Sequence, residues 1–193
     1  MYALVESGTI TKYFNNPRGF MLGDVQYSSD IFMKWSVEEK EAIGIHEVVF
    51  DNSNKKDEKW YINTNQTFVF ANNIVTASYG TATPIAHADV TETINGVEST
   101  TLGLKTNLIK DLKSNVANEL AKTDWYITRK TEKSTAIPSA ISTHRDLVRS
   151  RQVSIEAQII GAADTAALET LHTYTTTDGV QSRPLGELPV LES

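Results

Sequence analysis

The feature that most limits the fold is a change of hydrophobic period part-way along the chain. From Ile45 to Tyr79, short runs of β-branched and aromatic residues are separated by polar turns, the pattern of strands. Further on, Leu104, Leu108, Leu112, Val116 and Leu120 recur every four residues, with Ile109 beside them and Lys105, Lys110, Lys113 and Glu119 on other faces. That spacing makes a helix with one apolar stripe. No single element satisfies both periods, so the expected class is α+β. An antiparallel β part should occupy residues 1–90, and a helical part residues 91–193.

Within the β part, Tyr2 to Val5 and Thr9 to Phe14 flank Ser7-Gly8 and predict a hairpin. Asn15-Asn16-Pro17-Arg18-Gly19 is a turn. Ser36-Val37-Glu38-Glu39 has the form of a capping box opening one short helix, which Gly44 stops. Strands are expected at Ile45 to Phe50, Lys59 to Asn63, Thr67 to Ala71 and Ile74 to Tyr79, the last two joined by Asn72-Asn73. In the Lys59 strand, Trp60 and Ile62 share one face and Tyr61 takes the other. Gly80 to Pro84 and Asn95-Gly96 read as connection.

In the helical part a second helix starts near Pro138, with the stripe Ile141, Val148, Ile155 and Ile159 broken by His144 and Gln152. Gly161 ends or interrupts it, and Asp164 is the N-cap of a third, short helix carrying Leu168 and Leu171. Asp178-Gly179 is a turn. Arg183 to Pro189 is too rich in proline and glycine for a helix, so an extended tail lying on a neighbour is expected.

Composition narrows the functions. The 193 residues carry 24 acidic and 18 basic side chains, a net charge of −6, which argues against nucleic-acid binding by bulk charge. The absence of cysteine removes disulfides, thiolate nucleophiles and cysteine-ligated metals. No apolar run approaches the roughly 20 residues that cross a bilayer, and the start MYALVESGTITKYF lacks the form of a signal peptide. The expectation is a protein with no membrane partner, made without Sec-type export.

Chemistry-bearing motifs are scarce. His46, His87, His144 and His172 form no spaced metal pair; His87 and Asp89 alternate in a loop and read as solvated. Gly19 to Gly23 lacks the lysine and hydroxyl of a phosphate loop, and Glu38, Glu39 and Glu41 read as a solvated face. No catalytic residue, cofactor or metal ligand is therefore expected, and the chain is not expected to be an enzyme. Arg145, Arg149 and Arg151 form the one concentration of charge, with ion pairs to Asp124, Glu132 or Asp146 as the expected use. Trp60, Tyr61, Phe68 and Phe70 on adjacent strands make either an aromatic platform or, more simply, sheet core.

Thr123-Asp124-Trp125-Tyr126-Ile127-Thr128-Arg129-Lys130, then Ile137-Pro138, then Arg145 and Arg149, is the most distinctive stretch. It resembles a C-terminal module of many tailed-phage tail proteins: a helix, a T-D-W turn with an Arg-Lys pair, an I-P helix start and an arginine-bearing helix. The match covers roughly residues 104–160. One position departs from it, since many relatives carry Tyr where this chain has His144. Trp35 to Ile45 and Lys59 to Asn63 also look like sequences encoded among phage tail genes.

Read physically, the module is a helical hairpin in which Trp125 caps the open end and Arg129 stacks on it or binds helix-end carbonyls. Trp125, Arg129, Arg145, Arg149 and Trp60 are thus scaffold or interface candidates. The resemblance implies a phage tail protein located in the virion. The role it implies first is a tail, baseplate, collar or fibre-linked adaptor that docks on other tail proteins and on itself, preferably as a trimer. The alternatives are a tail-fibre assembly chaperone that leaves before the virion is complete, and a glycan-binding fibre domain.

Overall fold

The computed structural model describes residues 1–64 and 66–191. Among them are thirteen strands and six helices, an α+β chain. It divides into two compact units, Met1–Thr83 and Pro84–Ser193.

In the first unit the elements run β1 (Tyr2–Glu6), β2 (Thr9–Phe14), β3 (Phe20–Leu22), β4 (Val25–Tyr27), α1 (Ile31–Lys34), α2 (Val37–Ala42), β5 (Ile45–Asp51), β6 (Tyr61–Ile62), β7 (Thr67–Ala71) and β8 (Ile74–Ser78). A further short strand, β9 (Thr83–Pro84), spans the point of division. Ser7 and Gly8 (φ 51° and 78°), and Asn72 and Asn73 (φ 50° and 62°), take the left-handed conformation that tight hairpin turns need. Both hairpins stand where the sequence put them.

The main sheet has the order β2-β1-β5-β8-β7. It is not wholly antiparallel. β5 and β8 are parallel, with Val48 opposite Val75 and Phe50 opposite Ala77. The expected meander fails because β7 takes the outer edge, and the β7–β8 hairpin returns the chain beside β5 in the same direction. A bulge between Leu4 and Val5 bends β1 against β2. The outer strands approach each other, with Tyr13 and Phe68 ring centroids 4.7 Å apart, so the sheet curls.

Alternation along β1 feeds two cores. Leu4 joins Phe14, Phe20, Ile31, Phe32 and Ile45 on one face, whereas Ala3 and Val5 join Val48, Val75 and Ala77 on the other. The first cluster is aromatic-rich, with Phe14–Phe20 at 4.8 Å and Phe14–Phe32 at 5.3 Å. α1 and the β3–β4 hairpin, neither expected from sequence, supply Phe20, Ile31 and Phe32, half of its buried side chains. The capping box forms as expected: Ser36 Oγ accepts from Glu39 N at 3.2 Å and the Glu39 carboxylate accepts from Ser36 N at 2.8 Å.

The second unit holds β10 (Val90–Ile94), β11 (Val97–Thr101), α3 (Leu104–Ala121), α4 (Asp124–Lys133), α5 (Ser139–Gly161), α6 (Thr165–His172), β12 (Thr175–Thr177) and β13 (Val180–Ser182). α3 packs along α5. Leu112, Val116, Ile141, Val148, Ile155, Ile159 and Leu168 are buried, the stripes expected from spacing. Asp164 caps α6 by accepting from Ala167 N at 2.8 Å.

Three expectations need correction here. Asn95-Gly96 is the turn of a β10–β11 hairpin rather than plain connection; every residue of both strands is exposed, so no apolar alternation announced it. The Thr123-Asp124-Trp125 segment is no turn but the start of α4. The tail after Ser182 is free of helix as expected but lies on its own helices rather than on a neighbour, after a second exposed hairpin formed by β12 and β13.

Candidate functional site

Thr123, Asp124 and Arg145 meet where α3 ends and α4 begins. α3 stops at Ala121, and the Leu120 carbonyl accepts from the Thr123 amide at 3.1 Å in a tighter last turn. Thr123, 1% exposed, donates from Oγ1 to that carbonyl at 3.0 Å. Arg145, from α5, brings Nη1 to the same carbonyl at 2.8 Å, to Thr123 Oγ1 at 2.7 Å and to Asp124 Oδ1 at 2.8 Å. One buried guanidinium thus ties the end of α3 to the first turn of α4, where Asp124 is also favoured by the positive end of the helix dipole. The expected Arg145–Asp124 pair is present, and it is the centre of the node.

Arg149 behaves differently. Four residues on a helix advance about 400°, so it sits about 40° round from Arg145, exposed, and pairs with Asp146 at 3.3 Å. Arg151 holds the tail, with Nη2 to Leu185 O at 2.7 Å and Nε to Glu187 O at 3.1 Å. Leu185 is buried beneath it. Gly186 has φ 69°, and a Cβ there would collide with the Arg151 guanidinium. Neither Thr123 nor the Arg151–Leu185 clasp was legible as a site, because the partners are mostly backbone carbonyls that no residue pattern encodes.

One turn before the node, Glu119 accepts a hydrogen bond from Lys122 and lies 3.2 Å from His144 Nε2, which is buried. His144 therefore faces a carboxylate from inside the helical packing. The Lys122 hydrogen bond, reinforced by the Lys122 and His144 charges against an opposing desolvation, holds the Glu119 carboxyl below its ordinary value of 4.5. A depressed carboxyl stabilises the fold above its unfolded value and loses that contribution as pH falls through the folded value. Glu119→Gln should accordingly be destabilising at neutral pH. The gap to wild type should close below about pH 4.5, as followed by thermal melts across pH.

Trp125 does not cap the hairpin. It is 51% exposed on α4, against Tyr126 at 4.0 Å between ring centroids, and Arg129 stacks on it at 5.3 Å. The Arg129 stack is as expected; the burial is not. Starting α4 directly after Thr123 turns position 125 outward, and none of the ten side chains of α4 is buried.

Trp60 lies just before β6 and is 3% exposed; Tyr61 is buried and Ile62 exposed. The expected alternation therefore fails, with Trp60 and Tyr61 both buried, because the expected strand shrinks to Tyr61–Ile62 and Trp60 falls in the preceding turn. Phe68 and Phe70 pack against the Val48–Val75 cluster. Trp60 and Tyr61 are core and Phe68 and Phe70 are partly buried against it, so the four rings form no open platform.

The His87–Asp89 loop also has a structural use. Ala86 O and His87 O accept from Leu104 N and Lys105 N, both at 3.0 Å, and Asp89 Oδ1 accepts from Gly103 N at 2.8 Å. The loop satisfies the first amides of α3. Among the described residues no group of three or more His, Cys, Asp or Glu side chains is placed to hold a metal ion, and no helix is long and apolar enough to cross a membrane. Compared with family models, curated proteins and solved structures, the chain matches none.

Proposed function

We propose that the chain is a structural virion protein of a tailed bacteriophage, a tail, baseplate, collar or fibre-linked adaptor that works by protein–protein docking. The observation that carries this is α4. A ten-residue helix is marginal in isolation, yet this one leaves Trp125 and Arg129 stacked in the open with no side chain buried. Exposed tryptophan–arginine pairs are the side chains from which interface hot spots are made. At the start of α4 the buried Arg145 and Thr123 bind the end of α3 and each other, which makes a stiff mount for a docking helix. The sequence resemblance to tail proteins supplies the setting. It also supplies the expected partners, other tail proteins and further copies of this chain, with a trimer preferred. Catalysis, a cofactor and a metal form no part of the proposal.

Peptide mass spectrometry with copy number on purified virions of the source phage tests it. Recovery at a fixed multiple of three or six per particle is the expected result. Absence from virions alongside presence in the infected lysate would overturn it and make the assembly chaperone the better reading.

A further inference from the structure

The second unit carries a knob and a groove that cannot meet within one molecule. The knob is the side of α4 formed by Trp125, Tyr126, Arg129 and Lys133, positions that fall within about a third of a helical turn. The groove is an open, mostly apolar trough of about 490 Å³ where α5 gives way to α6, lined by Gln158, Gly161, Ala162, Ala163, Ala167, Thr170 and Leu171. Small side chains along its floor leave room for a large ring, and burying an aromatic side chain removes roughly 150–250 Å² from water.

Asp124, at the start of α4, is held by Arg145, and Gly161 lies sixteen residues further along α5. At 1.5 Å per residue that is roughly 24 Å of continuous helix.

The charges match as well. Arg129 and Lys133 in the knob and Lys130 beside it are cationic, while at the groove the negative end of α5 meets the positive start of α6 and the Asp164 carboxylate leaves the balance negative. Lys105 already donates to Ile160 O at 2.8 Å, so this helix end accepts from cations.

We infer that α4 of one copy docks in the α5–α6 groove of the next, Trp125 foremost. A knob and a groove at separate places make a heterologous contact, which closes into a ring when the rotation allows. This rests on the virion-adaptor reading and names its self-contact. The test separates the two, because virion mass spectrometry reads the role and solution mass reads the contact.

The experiment is size-exclusion chromatography with light scattering on the full chain over a range of concentrations, with circular dichroism and thermal melts as folding checks. Wild type should give a discrete multiple of 21.4 kDa. Trp125→Ala, which removes the knob, and Thr170→Arg, which fills the groove with a like charge, should each lose the assembly while keeping the wild-type circular dichroism spectrum and a cooperative melt, lowered only by the lost association. Ala163→Lys serves for the groove if Thr170→Arg fails the folding check. Mixing the knob variant with the groove variant leaves one competent pair, so the mixture should form dimers and nothing larger. A wild type that stays monomeric throughout, a folded variant that keeps the wild-type mass, or a mixture without dimers would each overturn the inference.

Discussion

Arg145→Ala should cost the second unit about 2–3 kcal/mol. The substitution leaves the Leu120 carbonyl with only Thr123 as a side-chain donor, and strips Thr123 Oγ1 and Asp124 of their cation. An orphaned buried polar group costs about 1–3 kcal/mol, and losing one partner of a buried ion pair up to about 5. Asp124 is 60% exposed in its side chain and can return to water, which places the sum in the lower part of that range. Arg145→Lys should recover little, since the lysine side chain is one atom shorter and its ammonium stops short of the point from which Nη1 reaches Leu120 O, Thr123 Oγ1 and Asp124. Chemical denaturation followed by circular dichroism, which the helices of the second unit dominate, measures both. A loss for Arg145→Ala below about 0.5 kcal/mol, the scatter of surface substitutions, would show that the node is ornamental.

The largest effect in the first unit is expected for Gly44→Ala. Gly44 ends α2 with φ 80°, where an L side chain is strained, and its added Cβ would stand 2.4 Å from the Val5 carbonyl oxygen. That oxygen belongs to the strand backbone and cannot swing aside. Gly44 O also accepts from Val5 N at 2.8 Å, so moving the turn to relieve the clash breaks a bond that ties α2 to β1. Left-handed strain alone is about 1–3 kcal/mol; with the backbone collision the expected loss is about 3 kcal/mol or more. Gly8→Ala is the control, since Gly8 has a similar φ of 78° but nothing within 4 Å of the added Cβ. It should lose only the strain, and tryptophan fluorescence from Trp35 and Trp60 during unfolding would separate the two variants.

Local rules were enough wherever one short stretch contains both partners of an interaction. The Ser36–Glu39 box, the Asp164 cap, the Asn72-Asn73 hairpin and the four-residue stripe of α3 were all legible, because each depends on residues within a turn or two of one another. The helical part of the candidate site was half legible. Asp124 was one of three carboxylates expected to pair with the arginine cluster, and stacking on Trp125 was one of two uses expected for Arg129.

What the sequence by itself determined is therefore the α+β class, the amphipathic helices and most hairpin turns. Only the tertiary structure decided that β5 lies parallel to β8, that Trp60 is core and Trp125 is surface, and that the tail returns to its own helices under Arg151. Those outcomes turn on chain crossings, on where a helix starts to the nearest residue, and on bonds to backbone carbonyls. A carbonyl is the same in every residue, so its choice of partner is written in three-dimensional position and not in side-chain identity.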